Sequence, residues 1–364
     1  MKLSIFSRYT PTQASTRVRF IQFIPALTAA GFQIDLHHIL EDESVNSHSS
    51  LFKIISSRIF SLFRVMRQIQ NIKQPALLHI HIELFPWIPY FIENSYLRLV
   101  GIKKYSIELD DAWFHRYENH NSILVRYLLG NKINKLMKNA NVVIAGNQYI
   151  ADRAIEVGSR IVEVIPTVVD TDKYLLNKNN SNTNIKFHSS TKPVIGWIGS
   201  PSTTKFLCAI KNVINHIHNN NIATFVAIGA DANQLKDIAI TAIPWSHSDE
   251  LEKINAFDIG IMPLNDSLFE RGKCGYKIIQ YMACGLPVVA SPVGVNSSII
   301  IHGKSGFLAT SEAEWIEYLS ILCSDPELRS RLGHAGLQRA TDNYSLIAVT
   351  PKVVSIFKNI SASN

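Results

Sequence analysis

Charge is sparse in this sequence: Asp, Glu, Lys and Arg make up 18% of its 364 residues, where about a quarter is usual. With hydrophobic residues at 46%, the chain has ample material for buried cores, which excludes global disorder. The surplus of 36 basic over 29 acidic residues, +7 in all, suits attraction to phosphates or an anionic membrane face. It is too small and too scattered for a nucleic-acid binder. The four cysteines (Cys208, Cys274, Cys284 and Cys323) form no C-x-x-C pair and read as reduced thiols of a reducing compartment. No run of about 18 apolar residues escapes a charge or proline, so a membrane-spanning helix is not expected. Leu3–Phe6 is too short for a signal-peptide core. A cytoplasmic protein, either free or at the inner face of the membrane, is the expectation. No G-x-G-x-x-G follows the first apolar run, which disfavours a dehydrogenase.

What is present alternates short apolar runs with helical periodicity. Lys2–Phe6, Gln33–Leu40, Leu77–Ile82, Tyr105–Leu109 and Asn141–Ala145 read as strands in the first half, with a helix over about Ser15–Ala30 closed by Gly31. Pro193–Ile198, Ala223–Ile228, Ile259–Pro263 and Pro287–Ala290 repeat the pattern in the second. This alternation predicts parallel sheets covered on both faces, in two doubly wound domains. The boundaries expected are a first domain over 1–177, an Asn/Ser-rich linker over 178–190, a second domain over 191–344, and a last helix within 345–364 that returns to the first domain. Leu51–Lys73 carries Lys53, Arg58, Arg64, Arg67 and Lys73, no acid, and an interleaved set of apolar residues. It reads either as a basic amphipathic helix on a membrane surface or as an ordinary domain helix whose apolar side faces the sheet.

Two segments carry the chemistry. Pro193–Ile198 empties into Gly199-Ser200-Pro201-Ser202-Thr203-Thr204-Lys205 before a helix near Phe206, a strand–loop–helix arrangement that suits an anion. Ile259–Pro263 leads to Glu270-Arg271-Gly272-Lys273-Cys274-Gly275-Tyr276-Lys277, where three cations and two glycines gather at a helix start. Like charges gather at a cost unless an anion such as a diphosphate neutralises them, and the glycines permit close backbone approach. Gln280 follows one turn on, placed to bond a ribose. Asp110-Asp111 closes the Tyr105–Leu109 strand, where α/β proteins bind ligands. Either carboxylate would orient or deprotonate a hydroxyl, or one of them would simply cap the next helix. His79 and His81 alternate on a strand before Glu83; two buried polar groups near a cleft are the reading there, ahead of a metal pair.

These segments, with Ile165–Asp170 and Val143–Asn147, resemble the group 1 (family 4-like) retaining glycosyltransferases of the GT-B fold, over nearly the whole chain and with Lys273–Gly294 as the most specific stretch. The resemblance implies an α/β GT-B protein, two Rossmann-like domains facing across a cleft. It also implies transfer of a hexose from a nucleotide diphosphate sugar to an acceptor hydroxyl with retention, as in bacterial surface polysaccharide or glycolipid assembly. The family's diphosphate-binding Arg and Lys fall on Ser200 and Lys205, so the missing charge passes to Arg271 or Lys273, with Gly272 and Lys277 beside them. Its paired glutamates fall on Gly272 and Gln280, leaving Gln280 for the ribose and Glu270 for the sugar. Trp245 lies in the segment that holds the nucleobase. Arg17, Arg19 and Glu83 are the acceptor candidates, and Asp110 and Asp111 the catalytic ones. No D-x-D run sits in a loop where it would hold a divalent ion, so no metal and no cofactor are expected. The partners implied are the donor and a glycan or lipid-linked acceptor; on the amphipathic reading of 51–73 a membrane surface joins them. Two further readings stay open: an epimerase or phosphorylase on the same fold, and a catalytically weak nucleotide-sugar-binding protein.

Overall fold

The computed structural model describes residues 1–41, 51–72, 76–102, 104–174 and 192–362; the expected linker lies outside them. By packing the chain forms two units: Met1–Thr167 with Arg271–Cys274 and Val349–Asn364, and Val168–Glu270 with Gly275–Ala348.

The first unit is built on β1 (Lys2–Ser7), β2 (Gln33–His38), β3 (Ala76–His81), β4 (Tyr105–Leu109), β5 (Val142–Ala145) and β6 (Val162–Val164). They form one sheet in the order β2-β1-β3-β4-β5-β6, parallel throughout, with Lys2 opposite Gln33 and Leu78 opposite Tyr105. Phe6, Ile80, Ile107 and Val143 from its centre are fully buried with Val65 and Ile69 of the Leu51–Gln70 helix. The single helix expected over Ser15–Ala30 is three short pieces, Ala14–Arg19, a 3₁₀ turn at Ile21–Phe23, and Ile24–Ala29. Pro25 lacks the N–H that a continuous helix needs and sits instead in the first turn of the last piece. Gly31, at φ +95°, then ends it in the left-handed conformation glycine tolerates best. The Leu346–Ala362 helix lays Phe357 edge-on against Phe32 and His79, and Lys352 Nζ donates to Val164 O at 3.1 Å.

The second unit carries β7 (Val194–Ile198), β8 (Thr224–Ile228), β9 (Thr241–Ile243), β10 (Ile259–Met262), β11 (Val288–Ala290) and β12 (Phe307–Leu308), all parallel, in the order β12-β11-β10-β7-β8-β9. Side chains alternate between two cores: Ile195, Trp197, Phe225 and Ala227 on one face, and Ile198, Val226 and Ile228 on the other. That explains why these strands read as continuous apolar runs. Val168–Tyr174 packs here because Val169 donates to Tyr344 O at 3.0 Å and accepts from Leu346 N at 2.8 Å. The short edge strands β6, β9 and β12 have no distinctive pattern in the sequence.

Candidate active site

In the second unit the chain leaves β7 toward β8 and β9, and β10 toward β11 and β12. The order reverses between these two neighbours, and such a switch point opens a crevice at the carboxyl ends of the strands. The loops entering it are Gly199–Thr204 and 263–267. Gly199 has no room for a side chain, since a Cβ would stand 2.2 Å from the Trp197 ring. Ser200 N donates to Thr203 Oγ1 at 3.1 Å and Ser200 O accepts from Thr203 N at 2.9 Å, fixing a 3₁₀ turn at Pro201–Thr203. The expected long helix is therefore that turn and the short helix Lys205–Ala209, so the dipole at Ser200 is smaller than a long helix would give. Lys205 Nζ lies 3.7 Å from Glu270 Oε1, and Glu270 also accepts from the Ser267 hydroxyl.

Gly275 opens the Tyr276–Ala283 helix at φ 65°, and a Cβ there would meet Ile299 Cδ1 at 2.3 Å. Backbone conformation and core packing, rather than close approach to a ligand, require this glycine. The helix points Lys277 at the Trp197 ring (4.9 Å), and its Tyr281 hydroxyl accepts from Ile198 N at 2.9 Å. Gln280 is buried and donates to Tyr174 Oη at 3.1 Å and to Glu250 Oε1 at 2.6 Å. Glu250 uses its other oxygen on Trp245 Nε1–H at 2.7 Å. Trp245 remains partly exposed, so its ring is held by one edge with surface left open. Gln280, Glu250 and Trp245 thus form one chain of hydrogen bonds. Glu250 was not legible beforehand; it lies far from the family's motif positions, and a Trp-x₄-Glu spacing before a helix is its only signal.

In the first unit the reversal falls between β1 and β3. Ile82 follows β3 at φ 70°, a strained conformation for a β-branched residue, and Glu83 N donates back to His81 O at 2.9 Å. This turn drives Glu83 inward. It is fully buried and accepts from Arg8 Nη1 (2.8 Å), Lys132 Nζ (2.7 Å) and the Tyr117 hydroxyl (2.8 Å). Burial alone would raise its pKa, but Lys132 and Arg8 outweigh that and hold it below the ordinary value. Its oxygens are engaged, which removes it from the acceptor candidates. Arg19 is removed likewise: it is buried, with Nε on Glu108 Oε1 (2.5 Å) and Nη1 on Ile165 O (3.0 Å). Arg17 bonds the carbonyls of Pro11 and Thr12 in its own loop.

Asp110 and Asp111 follow β4. The His81 Nδ1 accepts from Arg8 N at 3.2 Å, so Nε2 carries the proton and donates to Asp110 Oδ1 at 3.0 Å. The Ser15 hydroxyl donates to Oδ2. Burial opposes ionisation of Asp110, yet His81, Ser15 and Arg19 prevail and push its pKa well below the carboxylate range. His79 is satisfied by Ser106 (2.8 Å) and Glu108 (3.0 Å), and no cluster of metal-ligating side chains occurs among the described residues. The 271–274 segment docks on this unit. Asn147 Nδ2 donates to Gly272 O at 2.7 Å while its Oδ1 caps the Gln148–Glu156 helix. The Cys274 thiol donates to Asp110 O at 2.5 Å, and Lys273 Nζ lies 3.9 Å from Asp111. A Cβ on Gly272 would stand 2.3 Å from that of Ala112. Gly272 therefore serves packing, and Arg271 and Lys273 belong to the first unit while Lys277 belongs to the second.

Residues 192–325 match the family model Glycosyl transferases group 1. Over 134 residues the chain is 30% identical to a D-inositol 3-phosphate glycosyltransferase of Pseudarthrobacter chlorophenolicus, covering 36% of this chain and 30% of that protein. The chain thus spans less than a third of the length of the curated relative it matches. Sucrose-phosphate synthase from Thermosynechococcus elongatus superposes with a TM-score of 0.72 at 13% identity, over all of both chains. HepE from Anabaena, solved with UDP and glucose, superposes at 0.69 and 14% identity over 99% of this chain and all of its own. Two parallel six-stranded sheets of this order define the α/β GT-B fold. Within that fold, the likeness to the group 1 glycosyltransferases lies in residues 192–325 of the second unit.

Proposed function

We propose that the chain transfers a hexose, with retention, from a nucleotide diphosphate sugar to an acceptor hydroxyl in the assembly of a surface polysaccharide or glycolipid. The observation that carries this reading is the Gln280–Glu250–Trp245 chain beside the Lys205–Glu270 pair, all within or next to the family-matched segment. Trp245 offers a partly exposed indole for a nucleobase. Gln280 spends its amide hydrogens on Tyr174 and Glu250 and presents its carbonyl oxygen to the ribose. Lys205 and Lys277 supply the charge that a leaving diphosphate requires, stabilising the transition state more than the ground state. Glu270, paired to Lys205, contacts the sugar. The UDP and glucose named for HepE support this class of donor.

On the acceptor side, Asp110 has both oxygens engaged and a depressed pKa, which makes it a poor base. Its part is to orient the neighbouring groups through His81 and Ser15. Asp111 is the more accessible carboxylate, 32% against 17% of the side chain, and takes the proton of the acceptor hydroxyl. Contact with a membrane runs through the Leu51–Gln70 helix, where Ile59, Phe60 and Phe63 are exposed; no helix among the described residues is long and apolar enough to cross one. The test is incubation with UDP-, GDP- and ADP-sugars and a mixed lipid-linked glycan fraction. Release of nucleoside diphosphate with an α-linked product from an α-linked donor is the expected result. An epimerised or free sugar would replace this reading, and so would binding without turnover.

A further inference from the structure

The first unit contains a cavity of about 140 Å³ whose wall includes three guanidinium groups, Arg8, Arg58 and Arg116. Arginine concentrated in this way is a recognition device for oxyanions such as phosphate, since each planar fork donates two parallel hydrogen bonds. The charges around it do not cancel. Arg8 and Lys132 are matched by Glu83 and Glu93, with Lys132 Nζ at 2.7 and 2.9 Å from the two carboxylates. Arg58 and Arg116 are held by aromatic faces instead: Arg58 lies 5.9 Å from the Trp87 ring, and Arg116 lies 4.7 Å from that of Trp113. The Trp113 ring also takes Arg8, at 3.9 Å. Among the described residues no carboxylate pairs with Arg58 or Arg116. Arg8 is itself buried, and its Nε–H has no hydrogen-bond partner, which is costly unless a ligand supplies an acceptor. Burial, and then the nearness of Arg8 and Arg116, push the Arg58 pKa down, as expected of cations crowded without a counter-ion.

A second cavity of about 200 Å³ shares Leu40, Arg58 and Trp87 with the first, and the rest of its wall is almost wholly apolar, with Ile59, Leu62 and Phe85 among its residues. Arg58 and Trp87 thus stand at a boundary, with a cationic chamber on one side and a greasy one on the other. A free sugar phosphate would leave the apolar chamber unfilled, and a neutral lipid would leave the arginines unmatched. An amphiphile whose anion is joined directly to its hydrocarbon chain satisfies both. The exposed Ile59, Phe60 and Phe63 lie on the same helix as Arg58, where a chain leaving the cavity would find apolar surface.

We propose that these joined cavities hold the lipid-phosphate end of an acceptor whose glycan carries the reacting hydroxyl, its phosphate among Arg8, Arg58 and Arg116 and the first part of its lipid chain against Leu62, Phe85 and Trp87. The site rests on the reading of the first unit as the acceptor side. It lies close to the candidate catalytic carboxylates: Arg8 N donates to His81, which donates to Asp110, and Trp113 follows Asp111 by two residues.

The experiment is co-flotation of the full chain with phosphatidylcholine vesicles doped with a long-chain isoprenyl phosphate, the corresponding isoprenol, or phosphatidylglycerol, with and without inorganic phosphate. Arg58→Ala and Arg116→Ala alter exposed side chains and leave folding intact. Charge-assisted hydrogen bonds of about 1.5–3 kcal/mol each translate into roughly 10- to 100-fold weaker binding per arginine. Leu62→Asn tests the apolar chamber by the same readout. Expected is binding to the isoprenyl phosphate vesicles alone, weakened by all three substitutions. Equal binding to isoprenol or phosphatidylglycerol vesicles, or indifference to the arginine substitutions, overturns the proposal. Full competition by inorganic phosphate with no effect of Leu62→Asn reduces the site to one for a free phosphate and overturns it as well. Stabilisation of the same variants by nucleoside diphosphates is measured in parallel. If it persists while lipid binding fails, this proposal alone fails; if wild type shows neither, the glycosyltransferase reading fails with it.

Discussion

Gln280 donates to Glu250 at 2.6 Å in a buried setting, and this contact explains why an amide stands where the resemblance leads one to expect a glutamate. A second carboxylate there would face the first at hydrogen-bond distance, and one of the two would have to bind a proton. Gln280→Glu is expected to cost on the order of 3 kcal/mol, about two pKa units of coupling, visible as a lower Tm at neutral pH that recovers on acidification. The exchange Glu250→Gln with Gln280→Glu should restore most of the loss. No recovery in the exchange would show that the pair is not coupled as described.

Glu250 also fixes Trp245 through its indole N–H. Glu250→Ala frees the ring and leaves a Gln280 amide hydrogen without its acceptor, at about 1–2 kcal/mol. Nucleotide affinity should fall roughly tenfold or more in a calorimetric titration, with Trp245→Ala giving a comparable loss.

Between the two aspartates, Asp111→Asn is expected to lower kcat about 100-fold or more with little change in KM, as loss of a proton acceptor does. Asp110→Asn should lower kcat and also Tm, since its carboxylate anchors both Ser15 and His81. Equal effects of both on Tm and kcat would contradict the division of roles.

The Glu83 carboxyl lies below its ordinary value of 4.5 in the folded protein. Its stabilising contribution is therefore complete above that value and is lost as pH falls through the lower, folded one. Glu83→Gln leaves Arg8 and Lys132 short of a counter-charge, at about 3–5 kcal/mol near neutrality. The gap in stability between wild type and Glu83→Gln should narrow below pH 4.5 in denaturant titrations. A gap independent of pH would contradict the account.

Burial pushes the Cys274 thiol up to about 12, so the thiolate that reacts with alkylating agents is scarce at neutral pH. Iodoacetamide on the native protein at pH 7.5 should label Cys208 and spare Cys274, as read by peptide mass spectrometry. Rapid labelling of Cys274 would mean that its contact with Asp110 is not maintained.

The strands that build both switch points were legible in the sequence, because strands buried on two faces are apolar throughout and stand out between helices. The Gly199–Thr204 loop at the second switch point was legible too, from Gly199, Ser200 and Lys205, whereas the cations after Glu270 divide between the two units. What those residues touch was not. Arg19 and Glu83 look like ligand-facing charges in sequence, yet each neutralises a buried partner from a distant strand or helix. Gly272 and Gly275 look like ligand-approach glycines, yet each makes room for a neighbouring side chain. Glu250 had only its spacing from Trp245 to mark it and Arg8 had no local signal, since their partners Gln280 and Glu83 lie about 30 and 75 positions away. A residue's type and spacing indicate what it can do; only the packing reveals which partner has already claimed it.

The central claim is that the second unit binds a nucleoside diphosphate sugar through Lys205 and the Gln280–Glu250–Trp245 chain. The direct measurement is thermal stabilisation by UDP, GDP, ADP and their sugars, comparing wild type with Lys205→Ala and Glu250→Ala. A ligand at about 100 times its Kd adds ~2.7 kcal/mol to the state it binds, which should raise the Tm by roughly 5–10 °C. One base should stabilise wild type by this amount and both variants far less. If no nucleotide moves the wild-type Tm, or if both variants respond as wild type does, the donor site is not where it is placed here.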